Sequence, residues 1–275
     1  MKNRVNTLNL SFAVALTLAL GTPLVASAQD DAAQQAAPAG RGAGQGGRGG
    51  RGAAPGPPRT AKEMAPVDFT GYWTALITQD WRWRMLVPPK GEYNGIPINP
   101  EGRRVADAWD AAKDVSAGEQ CRAFGALNVM RLPGRLRIGW QDDQTLKIET
   151  DAGTQTRLLR FTPAAEGGGD WQGVSVASWE TIPARRGPAQ PGRSLKVVTT
   201  KVKPGYLRRN GVPYSAAATM TEYFDRVEQA NGEALLIVTT TIEDPTYLAQ
   251  PYMVATHFQK QRDAAGWNPT PCAVQ

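Results

Sequence analysis

Histidine occurs once in this 275-residue chain, as His257, and cysteine only twice, as Cys121 and Cys272. A single histidine rules out a histidine-rich zinc site and makes any histidine-centred triad depend on that residue alone. The two cysteines lack C-x-x-C spacing, which removes the usual redox motif. Gly-x-Ser-x-Gly, P-loop and H-E-x-x-H patterns are also absent, so no cofactor and no metal is expected. The longest apolar run, Leu8 to Leu20, is short for a transmembrane span.

That run has another use. Lys2 and Arg4 precede it, and Pro23 and the small-residue triplet Ala26-Ser27-Ala28 follow it. A charged region, a short apolar region and an A-x-A site together read as a signal peptide over 1–28, cut after Ala28. The expected location is therefore periplasmic or secreted. Residues 29–66 are rich in Ala, Gly, Gln, Pro and Arg and hold little to bury, which reads as a disordered tether. Residues 67–275 are one domain's worth of chain and carry all eight tryptophans.

The formal net charge of +6 overstates the domain's own charge. Seven basic and three acidic residues precede Val67; removing them from 31 and 25 leaves 24 against 22, a net of +2. A near-balanced domain offers no electrostatic case for nucleic acid. In the tether, Gly42, Gly44 and Gly47 match G-x-G-x-x-G, but with no strand before and no helix after, which is the wrong context for a dinucleotide. Arg48-Gly49-Gly50-Arg51-Gly52 has the look of RNA-binding RGG segments, yet in an exported chain it reads as a soluble spacer. In an oxidising compartment the isolated pair Cys121 and Cys272 reads as a disulfide that ties the tail back to the domain.

Along the domain, Phe69 to Met85 alternates as one long strand. Asn99-Pro100 then starts a helix, with Val105, Ala108, Trp109 and Ala112 on one face. From Gly134 on, short apolar-alternating runs and turn residues succeed one another. The runs start at Leu136, Leu146, Thr154, Trp171, Leu195, Thr219, Leu235 and Tyr252. The pattern predicts an all-β, antiparallel meander of roughly eight to nine strands with one short helix after the first strand. Closing it into a barrel removes exposed edges.

Several residues could carry chemistry. Trp81-Arg82-Trp83-Arg84 would place both tryptophans on one strand face and both arginines on the other. Inward arginines would hold a carboxylate or phosphate, and inward tryptophans would form an apolar wall. Glu222 lies between Met220 and Phe224 on its face, with Tyr223 opposite; buried, it is either an acid–base group or an arginine's ion-pair partner. His257 has the opposite parity to Tyr252, Val254 and Phe258, so it faces solvent if they face the core. Asp142, Asp143 and Asp151 lack calcium-loop spacing and read as turn formers, as does Asp244 before Pro245.

The string Asp68-Phe69-Thr70-Gly71-Tyr72-Trp73 contains a G-x-W on the first strand, and with the meander it resembles the lipocalin-like, calycin-type barrel. The resemblance implies that Trp73 sits at the closed end under a basic residue of the last strand, Lys260 or Arg262. The domain from Asp68 to Cys272 also resembles an uncharacterised family of exported bacterial proteins. They share the D-x-T-G-x-W opening, a T-E-Y-F-D-R strand (Thr221 to Arg226), a T-x-E-D-P strand end (Thr241 to Pro245) and a closing P-T-P-C. This second resemblance implies an extracytoplasmic barrel and no particular activity.

Three functions fit these residues. The first is a lipocalin-like module binding a small apolar or amphipathic ligand, with Trp81, Arg82, Trp83, Arg84, Trp140, Glu222, Tyr223 and His257 as the candidate contacts. A side-chain-filled interior would count against it. The second is an acid–base lyase or isomerase, which requires Glu222, Tyr223 or His257 to converge with an arginine. The third is a carbohydrate- or surface-binding module, which requires a coplanar pair among Trp81, Trp83, Trp140, Trp171 and Trp179.

Overall fold

The G-x-W strand is β1, Gly71–Leu76, in the computed structural model, which describes residues 58–78, 80–162, 167–182 and 190–274. The signal peptide, the tether up to residue 57 and residues 183–189 lie outside the described residues. The tether's last residues are built into the fold. Thr60 and Glu63 bond reciprocally, as in a capping box, Ala61 is buried, and the Lys62 N–H donates to Asp143 O at 3.1 Å.

The first strand is shorter than its alternation predicts. β1 stops at Leu76, and Asp80 takes a left-handed conformation, φ 55°, that turns the chain into a single helical turn, α1, Trp81–Arg84. Aspartate tolerates that conformation better than most residues. Arg84 then fastens the turn by donating to Leu76 O at 3.2 Å and Arg131 O at 2.8 Å. Four alternating residues match either period, so a tertiary bond decided the matter.

The expected helix is also broken into pieces. α2, Pro100–Asp107, starts as predicted: Asn99 Oδ1 accepts from the Gly102 N–H at 2.8 Å and Pro100 occupies the first position. Asp110 then restarts the chain as α3, Ala111–Ser116, by accepting from the Ala112 N–H. Val105 and Ala112 therefore fall on different helices. A 3-10 turn, Arg122–Phe124, and α4, Ala126–Val129, lead to the sheet.

The strands β2 (Arg135–Asp142), β3 (Thr145–Thr150), β4 (Thr156–Arg160), β5 (Val174–Ile182) and β6 (Gln190–Thr200) run in ring order. A hairpin of β7 (Gly205–Arg208) and β8 (Val212–Tyr214) interrupts them. Then β9 (Thr219–Glu228), β10 (Ala234–Glu243) and β11 (Tyr252–Lys260) complete the ring against β1. The barrel is closed and nine-stranded, as expected, but not antiparallel throughout. Strand directions alternate around an antiparallel ring, so an odd ring needs a parallel pair. β4 and β5 supply it, with Leu159 opposite Ser175. Residues 161–173 join the two strands, and a parallel pair requires a crossover rather than a tight hairpin turn.

Side chains fill the barrel. Leu136, Ile138, Leu146, Ile148, Leu159, Leu195, Val197, Leu236, Val238 and Phe258 are all buried in one core. At the Trp73 end, Phe69, Phe161 and Trp140 stack in series with Trp179. Trp73 is fully buried and donates to Phe69 O at 2.9 Å, while Lys260, its cross-strand partner, lies 4.6 Å from the ring centre and donates to Thr70 O. The other end is covered by a second core. There α2, α4 and the β7–β8 hairpin pack over Met220, Ile242 and Tyr252. The predicted disulfide, Cys121–Cys272, joins the tail to the 3-10 turn. Among the described residues no helix is long and apolar enough to cross a membrane.

In mid-barrel, Arg157 and Glu222 form a fully buried bidentate pair, at 2.5 and 3.1 Å. Thr199 Oγ1 accepts a further Arg157 bond and lies 2.8 Å from Ser175 Oγ. Removing one partner of such a pair leaves an uncompensated buried charge. Glu222→Gln is expected to cost about 3 kcal/mol or more in denaturant unfolding, and Arg157→Met with Glu222→Met to recover most of that. Equal destabilisation by the single and double variants would contradict this assignment.

Candidate functional site

Four arginines meet where the cap adjoins the barrel. α1 carries Trp83 and Arg84, the residues after α4 include Arg131 and Leu132, β7 ends on Leu207 and Arg208, and Arg209 follows it. Together with Asn128 and Val87 they line a pocket of about 20 Å³, room for about one water-sized group. Tyr252 opens β11 and faces Arg131, whose guanidinium lies 5.7 Å from its ring centre. The Trp73 end is at the other terminus of that strand, so the pocket and the aromatic end are opposite mouths of the barrel.

The guanidiniums are buried and incompletely bonded. Arg84 uses Nε and Nη1 on the carbonyls of Arg131 and Leu76. Arg131 Nη2 donates to Asp80 Oδ2 at 3.3 Å, and Arg208 Nη2 donates to Asn94 O at 3.0 Å. Among the described residues, Arg84 Nη2, Arg131 Nη1 and Arg208 Nη1 are buried with no hydrogen-bond partner. The carboxylate that reaches this cluster, Asp80, is itself 46% exposed. Arg208 lies 5.0 Å from the Trp83 ring centre, so that ring forms a further wall.

Charge of one sign is thus concentrated on buried side chains. Burial, with the Arg131 charge adding to it, lowers the Arg84 pKa to about 10. Burial also lowers Arg208 and Arg209. It pushes Tyr252 up, against the pull of Arg131 and Arg208. Planar guanidiniums with free N–H groups match a carboxylate or phosphate, whose charge would offset theirs.

Of the candidate residues read from sequence, Trp83 and Arg84 line this pocket. Trp81 and Arg82 do not. Trp81 points outward, 57% exposed, and Arg82 pairs with Glu92 at the surface. Trp140 sits at the opposite, aromatic end against Phe161. Glu222 is inside the barrel on Arg157, while Tyr223 and His257 lie on its outer face, Tyr223 near Lys196. The acid–base set is therefore divided between two faces. Trp140 and Trp179 face Phe161 rather than forming an exposed pair.

Sequence reasoning missed Arg131, Arg208, Arg209 and Asn128. One signal was present: Arg131 and Asn128 are the polar interruptions of the apolar run Ala126 to Leu132. A charge inside such a run is buried with it and needs a reason. Comparison with protein-family models, with curated proteins and with solved structures finds no match.

Arg84 binds its proton less tightly folded than unfolded, so its charge opposes folding at neutral pH. That penalty fades as pH climbs through about 10. An anion in the pocket acts in the same direction. Inorganic phosphate should raise Tm above that in chloride at equal ionic strength, by about 2.7 kcal/mol of stabilisation at a hundredfold excess over Kd. Thermal melts of Arg208→Met should lose that increment, which separates site binding from the general effect of salts. Equal increments in both proteins would argue against the site.

Proposed function

We propose that this is an exported binding protein for a small amphipathic anion, whose carboxylate or phosphate group places an oxygen in the arginine pocket. One observation carries the reading: three buried guanidiniums, each with an unpartnered N–H, line one pocket beside a half-exposed carboxylate. Burying uncompensated charge costs several kcal/mol per ion. A fold that keeps the charges has a use for them, and an anionic ligand is the partner they recognise.

The barrel interior lends no weight to a ligand inside it, because aliphatic side chains and the Arg157–Glu222 pair occupy the centre. The lipocalin-like reading is kept for the architecture, on the strength of Trp73 beneath Lys260. Ligand recognition is moved from the barrel lumen to its capped mouth. Export is supported by the signal-like opening and by the disulfide, which persists in oxidising compartments.

Isothermal titration of the full chain with octanoate and octyl phosphate tests the proposal. One saturable site is expected, weakening as ionic strength rises. Arg131→Ala should lower affinity about tenfold to a hundredfold, the worth of a charge-assisted hydrogen bond. Absence of saturable binding for both ligands, and for inorganic phosphate, would overturn the reading.

A further inference from the structure

The arginine pocket has room for about one water-sized group, a single oxygen of an anionic head, so the rest of any organic ligand must lie outside it. Leu132 and Arg209 form its shared wall with a second, larger cleft of about 360 Å³. That cleft is lined by Phe124, Leu132, Pro133, Ala152, Pro271 and Ala273, with Arg209 and Thr270 at its edge. Its volume falls within the usual range for small-molecule sites, and its lining is mostly apolar.

One wall is the C-terminal tail. Three attachments hold it there. The Thr270 N–H donates to Asp151 O at 2.8 Å, Thr154 Oγ1 donates to Thr270 O at 3.0 Å, and Cys272 is bonded to Cys121. The disulfide closes a loop with a sequence separation of 151 residues, far longer than the local contacts it secures. The facing wall is Phe124, whose ring lies over Gly153 (φ 77°), where a side chain would collide with it. Tail, ring and turn are thus held as one piece beside the arginines.

We infer that this tail-walled cleft is the apolar subsite of the ligand. The natural ligand is then an amphiphile with one terminal anionic group and an apolar body that lies along Phe124, Leu132 and Pro271. The inference rests on the proposed binding function and adds to it the second half of the site. Arg209 lines both halves.

The test is a titration series on the full, oxidised chain: inorganic phosphate as the head alone, then acetate, butyrate, hexanoate and octanoate. Affinity should climb about twofold to fourfold per added methylene as the chain enters the cleft. Pro271 is exposed, so Pro271→Asp puts a charge in the wall without disturbing the core. It should flatten the chain-length dependence, while any like-charge repulsion weakens phosphate and all the carboxylates alike. Cys121→Ser with Cys272→Ser, which frees the tail, should flatten it too if the protein folds; the aspartate variant decides the matter if it does not. Phosphate binding with no chain-length dependence would overturn the subsite and leave the arginine pocket standing, as would an undiminished dependence in Pro271→Asp. Failure of phosphate and every carboxylate to bind would overturn the binding function itself.

Discussion

β1 pairs with β11 on one side and β2 on the other, and this closure governs what the rest of the chain can do. A closed ring has no free sheet edge, and its interior must be filled or hollow. Here the inward faces of nine strands fill it. The odd strand count requires one parallel pair, and so the crossover from β4 to β5. It also leaves two mouths. Trp73 and the stacked aromatics close one, and the helices with the β7–β8 hairpin close the other.

A filled barrel has no room for a ligand inside it, and the proposed site lies at a mouth instead. At the helical mouth the chain brings guanidiniums from three distant segments into low-dielectric surroundings and leaves part of each unsatisfied. The mid-barrel pair differs in counter-charge rather than in satisfaction, because Arg157 Nε also lacks a partner. Arg157 is buried just as deeply, yet Glu222 meets it with two bonds. The same fold therefore neutralises one buried arginine with its own carboxylate and leaves three others short of counter-charge. Unsatisfied polarity of this kind lowers stability, and it tends to persist where function needs it.

The architecture was largely legible in the chain. Strand-length alternation at β2, β3, β9, β10 and β11, separated by turn residues such as Asp151, predicts the meander. Asn99-Pro100 predicts a helix start, and the isolated cysteine pair predicts its disulfide. These succeed because each depends on neighbours a few residues away, or on there being no other partner to choose. The Trp81 to Arg84 string failed because its period was too short to discriminate. A bond from Arg84 to the carbonyl of Arg131, far along the chain, made it helical. The site was legible only at Trp83 and Arg84. Arg131 and Arg208 gain their meaning from each other, and no spacing in the sequence relates them.

The sequence by itself determined a barrel-forming period, a charge-balanced domain, a disulfide and the absence of a histidine- or metal-centred chemistry motif. These follow from composition and local periodicity. Only the tertiary structure decided which way each strand faces, that the lumen is full, and that buried positive charge gathers at one mouth. Strand parity is two-valued, and a single register step exchanges inside for outside. The choice between them depends on the energy of closing the whole ring, a property of all nine strands at once.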